Sequence, residues 1–123
     1  MQILVVEDEA ALREVMATIL VEAGYKVVTA ADGLAAMTLL NGMPQPPQLI
    51  LLDLMLPHMT GVELCAALRR NPTFAAVPIM VLTAAATHVD SAPALNGIRI
   101  LHKPITIDAL LSAIQQACVQ AEL

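Results

Sequence analysis

The segment Leu49-Ile50-Leu51-Leu52-Asp53-Leu54-Met55-Leu56-Pro57 sets one ionisable residue inside an otherwise apolar run. Its front half, entered from Gln48 and ending at Leu52, is short and continuously apolar, as a strand buried on both faces of a parallel sheet must be. Ile3 to Val6 and Val77 to Leu82 read the same way, so three central strands are expected. Tyr25 to Ala30 and Ile98 to Leu101 are more mixed. They carry Lys26, Thr29 and Arg99, as edge strands with one wetter face would.

Helical period fills the gaps between the strands. Leu12, Val15, Met16, Ile19, Leu20 and Ala23 share one helix face, and Gly24 stands where a left-handed terminator belongs. Ile107, Leu110, Leu111, Ile114 and Cys118 repeat that pattern behind Thr106, a good N-cap, with Asp108 in the first turn. Asp32 to Leu40, closing near Asn41-Gly42, and Val62 to Arg69, preceded by Gly61, form shorter helical segments. By position Thr87 to Leu95 should be a helix too. Pro93 would remove a backbone bond there and press on the carbonyl of Val89, so a short or broken element is expected. Five strands alternating with five helices imply right-handed crossovers and an α/β, doubly wound parallel sheet with helices on both faces. Met43-Pro44-Gln45-Pro46-Pro47 is a stiff loop into the third strand.

Composition narrows the function. A chain of 123 residues fits one domain, 1–123. Its 58% hydrophobic and 14% charged residues exclude intrinsic disorder, and 21 alanines beside 19 leucines suit helices packed closely on a sheet. No apolar run reaches the roughly 18 residues a membrane helix needs, and Met1 to Val6 lacks a secretory signal, so a cytoplasmic location is expected. A net charge of −5 with six Lys plus Arg argues against direct binding of nucleic acid. Cys65 and Cys118, 53 positions apart without metal-ligand spacing, read as small buried hydrophobes in a reducing compartment.

In doubly wound sheets ligands bind beyond the carboxyl ends of the strands. The first strand ends in Glu7-Asp8, the third in Asp53, the fourth in Thr83, and the fifth, one residue on, in Lys103-Pro104. Each has a bland explanation alone: Glu7-Asp8 could complement the positive end of a helix, and Thr83 could be an ordinary β-branched strand residue. Asp53 is harder to dismiss, because a charge within an apolar run needs a partner. Together, three carboxylates repel one another unless a cation neutralises them. An oxygen-only set favours Mg²⁺ over zinc. Lys103 and the Thr83 hydroxyl would then serve an anion arriving at Asp53.

The four motifs VVEDE, LILLDLMLPHMTG, PIMVLTA and HKP, in this order and spacing, resemble a response-regulator receiver domain of two-component signalling over the whole chain. The resemblance implies a flavodoxin-like receiver fold with strand order 2-1-3-4-5. It implies that Asp53 is the phosphoacceptor for a phosphohistidine on a sensor histidine kinase or histidine phosphotransfer protein. Asp8, Asp53 and the backbone carbonyl of Met55 would hold Mg²⁺, with Glu7, where the family often has Asp, reaching it through water. Thr83 resembles the switch hydroxyl, the backbone of Ala84 a phosphate contact, Lys103 the phosphate-pairing cation, and Pro104 a residue commonly preceded by a cis bond. Such a domain is a phosphoacceptor assisting its own phosphoryl transfer and dephosphorylation, not an enzyme in the ordinary sense. Its output partner is open, and a homodimer through the fourth helix, fifth strand and fifth helix is one expectation.

Two departures concern readout. Ile100 stands where the family usually has Tyr or Phe, and Thr83 to Lys103 spans only 20 residues. A phosphorylation-independent docking module is therefore the alternative. A haloacid-dehalogenase-type phosphohydrolase is weaker, because its second Asp would fall on Met55. With no output domain after Leu123 in this sequence, either a stand-alone receiver or one excised from a longer protein is expected.

Overall fold

The computed structural model describes residues 2–84, 95 and 97–122. Five strands, β1 (Gln2–Val6), β2 (Lys26–Ala30), β3 (Leu49–Leu52), β4 (Ile79–Thr83) and β5 (Arg99–His102), form one sheet of order β2-β1-β3-β4-β5. Every pairing is parallel. Among the described residues four helices alternate with them: α1 (Ala10–Glu22), α2 (Gly33–Gly42), α3 (Gly61–Arg70) and α4 (Ile107–Glu122). The fifth expected helix, Thr87 to Leu95, lies outside the described residues except for Leu95.

Strand parity divides the core. Leu4, Val6, Ile50, Leu52 and Val81 face α2 and α3, meeting Leu40, Leu64 and Leu68. Ile3, Val5, Leu49, Leu51, Met80 and Leu82 face the other way, onto Met16 and Leu20 of α1 and Leu110 and Ile114 of α4. The central strands are buried on both faces, whereas β2 and β5 each keep exposed residues, as the mixed composition of those runs predicts. Cys65 and Cys118 fall in opposite cores, so the sheet separates them. Burial pushes the Cys65 thiol up to about 11, which keeps it protonated and inert.

The helix ends follow from local chemistry. Gly24, at φ +100°, closes α1: its N–H donates to the carbonyl of Val21 while that of Tyr25 donates to Leu20, the paired bonds of a Schellman motif. Asp32 caps α2 by accepting from Ala35 N at 2.7 Å, and Thr106 caps α4 by accepting from Ala109 N at 3.1 Å. At α3 the cap is Thr60, one residue earlier than a start marked by Gly61 would suggest. Its hydroxyl accepts from Glu63 N and the Glu63 carboxylate accepts from Thr60 N, a capping box legible in the spacing Thr60-x-x-Glu63. β4 begins at Ile79 rather than Val77, because Pro78 has no N–H to give the ladder and the N–H of Val77 goes to Phe74.

Gly61 itself is required for a different reason. A Cβ there would lie 2.5 Å from Leu54 Cα and 2.7 Å from the Asp53 carbonyl oxygen, both backbone atoms without freedom to yield. At the first helical position the propensity gain from alanine is well under 1 kcal/mol, smaller than the overlap cost. Gly61→Ala is therefore expected to lower the unfolding free energy by about 1–3 kcal/mol in urea denaturation, a gain in stability being the contrary result.

Candidate functional site

The rim at the carboxyl ends of the strands is set by one extra ladder bond per strand. Glu7 N donates to Ala30 O at 3.0 Å, Asp53 N to Val6 O at 3.1 Å, and Lys103 N to Thr83 O at 2.9 Å. Glu7, Asp53 and Lys103 are thus each the first residue beyond a strand, with the backbone still held by the neighbouring strand. A parallel sheet delivers them side by side although 96 positions separate Glu7 from Lys103.

The side chains converge on the Lys103 ammonium. Its Nζ donates to Asp53 Oδ2 at 2.8 Å and to Glu7 Oε1 at 3.0 Å. The second oxygens are also used: Asp53 Oδ1 accepts from Met55 N at 2.9 Å and Glu7 Oε2 accepts from Glu9 N at 3.2 Å. Glu7, Asp8 and Asp53 each place a carboxylate oxygen within 4.8 Å of the others. Glu7 is 2% exposed and Asp53 7%, whereas Asp8 faces solvent.

The acids differ in their surroundings. Burial raises the pKa of the Glu7 carboxyl above its ordinary 4.5, and the Lys103 ammonium and Glu9 N–H offset part of that rise. For Lys103, burial acts to lower the pKa, but the hydrogen bonds and charges of Asp53 and Glu7 outweigh it and raise it above 10.5. The amine therefore stays an ammonium at neutral pH. Lys103 pairs with two of the three clustered carboxylates and not with Asp8, and an all-oxygen donor set open to solvent on the Asp8 side fits a hard divalent cation that retains water.

The remaining expected residues lie around the same rim. Thr83 ends β4 fully buried, Ala84 follows it exposed, and the Met55 side chain is exposed beside Asp53. The Lys103-Pro104 peptide is cis. Ile100 lies lower in β5, opposite Val81 and packed against the core on the α2 and α3 side. Glu7 and Asp8 do not cap α1: its N-cap is Glu9, without a side-chain bond. One contributor escapes sequence reading altogether. Arg13 Nη1 donates to Glu7 O at 2.9 Å, with Asp8 O at 3.5 Å, and nothing in an amphipathic helix pattern marks an arginine that turns back onto carbonyls.

The sign of the Glu7 shift fixes a pH dependence. Because its folded pKa exceeds the unfolded one, the folded state holds more protons, and stability present below pH 4.5 is lost as pH rises through the folded value. In chelator, Glu7→Gln should accordingly gain on wild type as pH rises above 4.5 in urea titrations, and a pH-independent difference would refute the assignment.

Comparison with known proteins accords with the rim. A family model described as response regulator receiver domain matches residues 3–115. The alkaline phosphatase synthesis transcriptional regulatory protein SphR of Synechococcus elongatus is 40% identical over 96 residues, covering 72% of this chain and 37% of that protein. The chain thus spans about a third of the length of the curated relatives it matches. The signal receiver domain of a signal transduction histidine kinase from Syntrophus aciditrophicus superposes with a TM-score of 0.87 at 29% identity, over 97% of this chain and 90% of that one. The response regulator TrrA of Thermotoga maritima, solved in complex with Mg(2+)-BeF, gives 0.81 at 28% identity over 94% and 97%. Sheet order, rim and relatives agree, and the chain belongs to the response regulator receiver domains of two-component signalling.

Proposed function

We propose that Asp53 accepts a phosphoryl group, in a Mg²⁺-dependent reaction, from the phosphohistidine of a sensor histidine kinase or histidine phosphotransfer protein. The observation that carries this reading is the Asp53 carboxylate, nearly buried at a strand end, 2.8 Å from an ammonium and clustered with two further acids. A carboxylate is already nucleophilic once ionised, so no general base is required. An Asp53 oxygen forms the new bond to phosphorus, the phosphorus–nitrogen bond of the donor breaks, and its electron pair stays on the imidazole, which takes up a proton.

The protein's work is positioning and charge neutralisation. Asp8, Asp53 and the Met55 carbonyl would hold Mg²⁺, with Glu7 acting through water, and the ion would supply positive charge against phosphoryl oxygens. Lys103 supplies a fixed cation, bonded to Asp53 Oδ2 at 2.8 Å. Thr83 and the Ala84 N–H lie at the end of the adjacent strand, where the added negative charge offers new acceptors. In this reading residues 1–123 act as one receiver unit in the cytoplasm, between a protein phosphodonor and a protein output partner. No helix among the described residues is long and apolar enough to cross a membrane.

Intact-mass measurement with Mg²⁺ and acetyl phosphate tests the assignment. One phosphate adduct is expected, absent from Asp53→Asn and after chelation. An adduct that survives Asp53→Asn, or catalytic turnover of many phosphoesters, would overturn it, and bound Mg²⁺ without any adduct would favour constitutive docking instead.

A further inference from the structure

The turn Glu7-Asp8-Glu9 must present two acids at fixed positions, and one side-chain bond closes it, Glu9 N donating to Glu7 Oε2 at 3.2 Å. Glu9 caps α1 without a side-chain hydrogen bond, and the first turn of α1 carries no acidic residue. Asp8 is exposed and neither of the site's ion pairs reaches it. The backbone is instead gripped from the helix: Arg13 Nη1 reaches back to Glu7 O at 2.9 Å and lies 3.5 Å from Asp8 O, while Arg13 N donates to Glu9 O at 2.9 Å.

That use of an arginine is specific. Glu9 and Glu14 are close in sequence, but among the described residues Arg13 makes no ion pair and its half-buried guanidinium is given to backbone carbonyls. A charged donor on a carbonyl is stronger than a neutral one, and here the single Nη1 reaches both carbonyls.

We propose that Arg13 is a positioning residue for the divalent cation: by holding the Glu7 and Asp8 carbonyls it aims the Asp8 carboxylate at the place it shares with Asp53. This rests on the Mg²⁺ site of the proposed function. Charge and geometry predict opposite signs for its removal. Losing a nearby positive charge alone would tighten a cation, whereas loosening the turn that carries Asp8 weakens it.

Calorimetric titration of MgCl2 into the phosphate-free protein, with no phosphodonor present, separates the two. Arg13→Met should weaken Mg²⁺ binding about tenfold, as loss of a group that orients a metal ligand commonly does. Arg13→Lys, which keeps one charged donor, should recover most of that loss. Acetyl phosphate labelling of Arg13→Met should fall at low Mg²⁺ and return at saturating Mg²⁺. Should Arg13→Met not fold by circular dichroism, Arg13→Gln, too short to reach both carbonyls, carries the same expectation. Folded variants that bind Mg²⁺ as tightly as wild type, or more tightly, overturn the proposal, as does a wild-type protein that binds none. If the wild type binds Mg²⁺ but Asp53 takes no phosphate, the phosphoacceptor assignment fails while the role of Arg13 stands.

Discussion

The Lys103 ammonium is what allows Glu7 and Asp53 to share a nearly dry rim. A carboxylate withdrawn from water is costly unless a charge and hydrogen bonds replace its hydration. Here both oxygens of both acids are occupied, one on each by the same Nζ and the other by a backbone N–H two residues on. The lysine gains in turn, since two anions overcome the burial that would otherwise depress its pKa. Removing that one cation would leave two adjacent negative charges facing each other, so the arrangement is held by mutual need more than by any single bond.

The sheet supplies the precision. Side-chain parity sends alternate residues of β1, β3 and β4 into two separate cores, and a one-residue slip would exchange them. Register is therefore fixed by apolar packing far from the rim. The extra ladder bonds at Glu7, Asp53 and Lys103 carry that register outward by one residue, and Gly61 lets α3 close against the Asp53 backbone without a side chain in the way. The polar site is thus located by hydrophobic burial, which has no chemistry in common with it.

Much of this was legible in the sequence because burial writes it there. Continuous apolar runs mark the central strands and mixed runs the edge strands, and Gly24, Asp32 and Thr106 mark helix ends where the structure has them. Asp53 stood out because a charge amid leucines has no cheap local explanation. What sequence could not show is pairing across distance. That Glu7 gives its oxygens to Lys103 and to Glu9 N depends on register, and the family pattern describes it only as an acid near a metal. The return of Arg13 to two carbonyls depends on a side-chain path that no periodicity encodes. Strand ends were blurred for a simpler reason, since Val77 is apolar enough for a strand while the proline after it cannot join the ladder.

The same physics bears on Ile100. A tyrosine, with an apolar ring and a polar tip, can lie either inward or in water, two positions that a side chain can switch between. Isoleucine has no polar tip and a stiff χ1. At position 100 it is half-buried opposite Val81, on the face that packs against α2 and α3, and water offers it no second resting place. Any change that follows charge added at Asp53 must therefore leave the rim by another route, and the buried Thr83, whose carbonyl is bonded to Lys103 N, is the residue that already joins β4 to β5 at the site. On the proposed function, phosphoryl acceptance and its readout are separable, because the first would depend on a register that packing enforces and the second on a side chain with somewhere else to go.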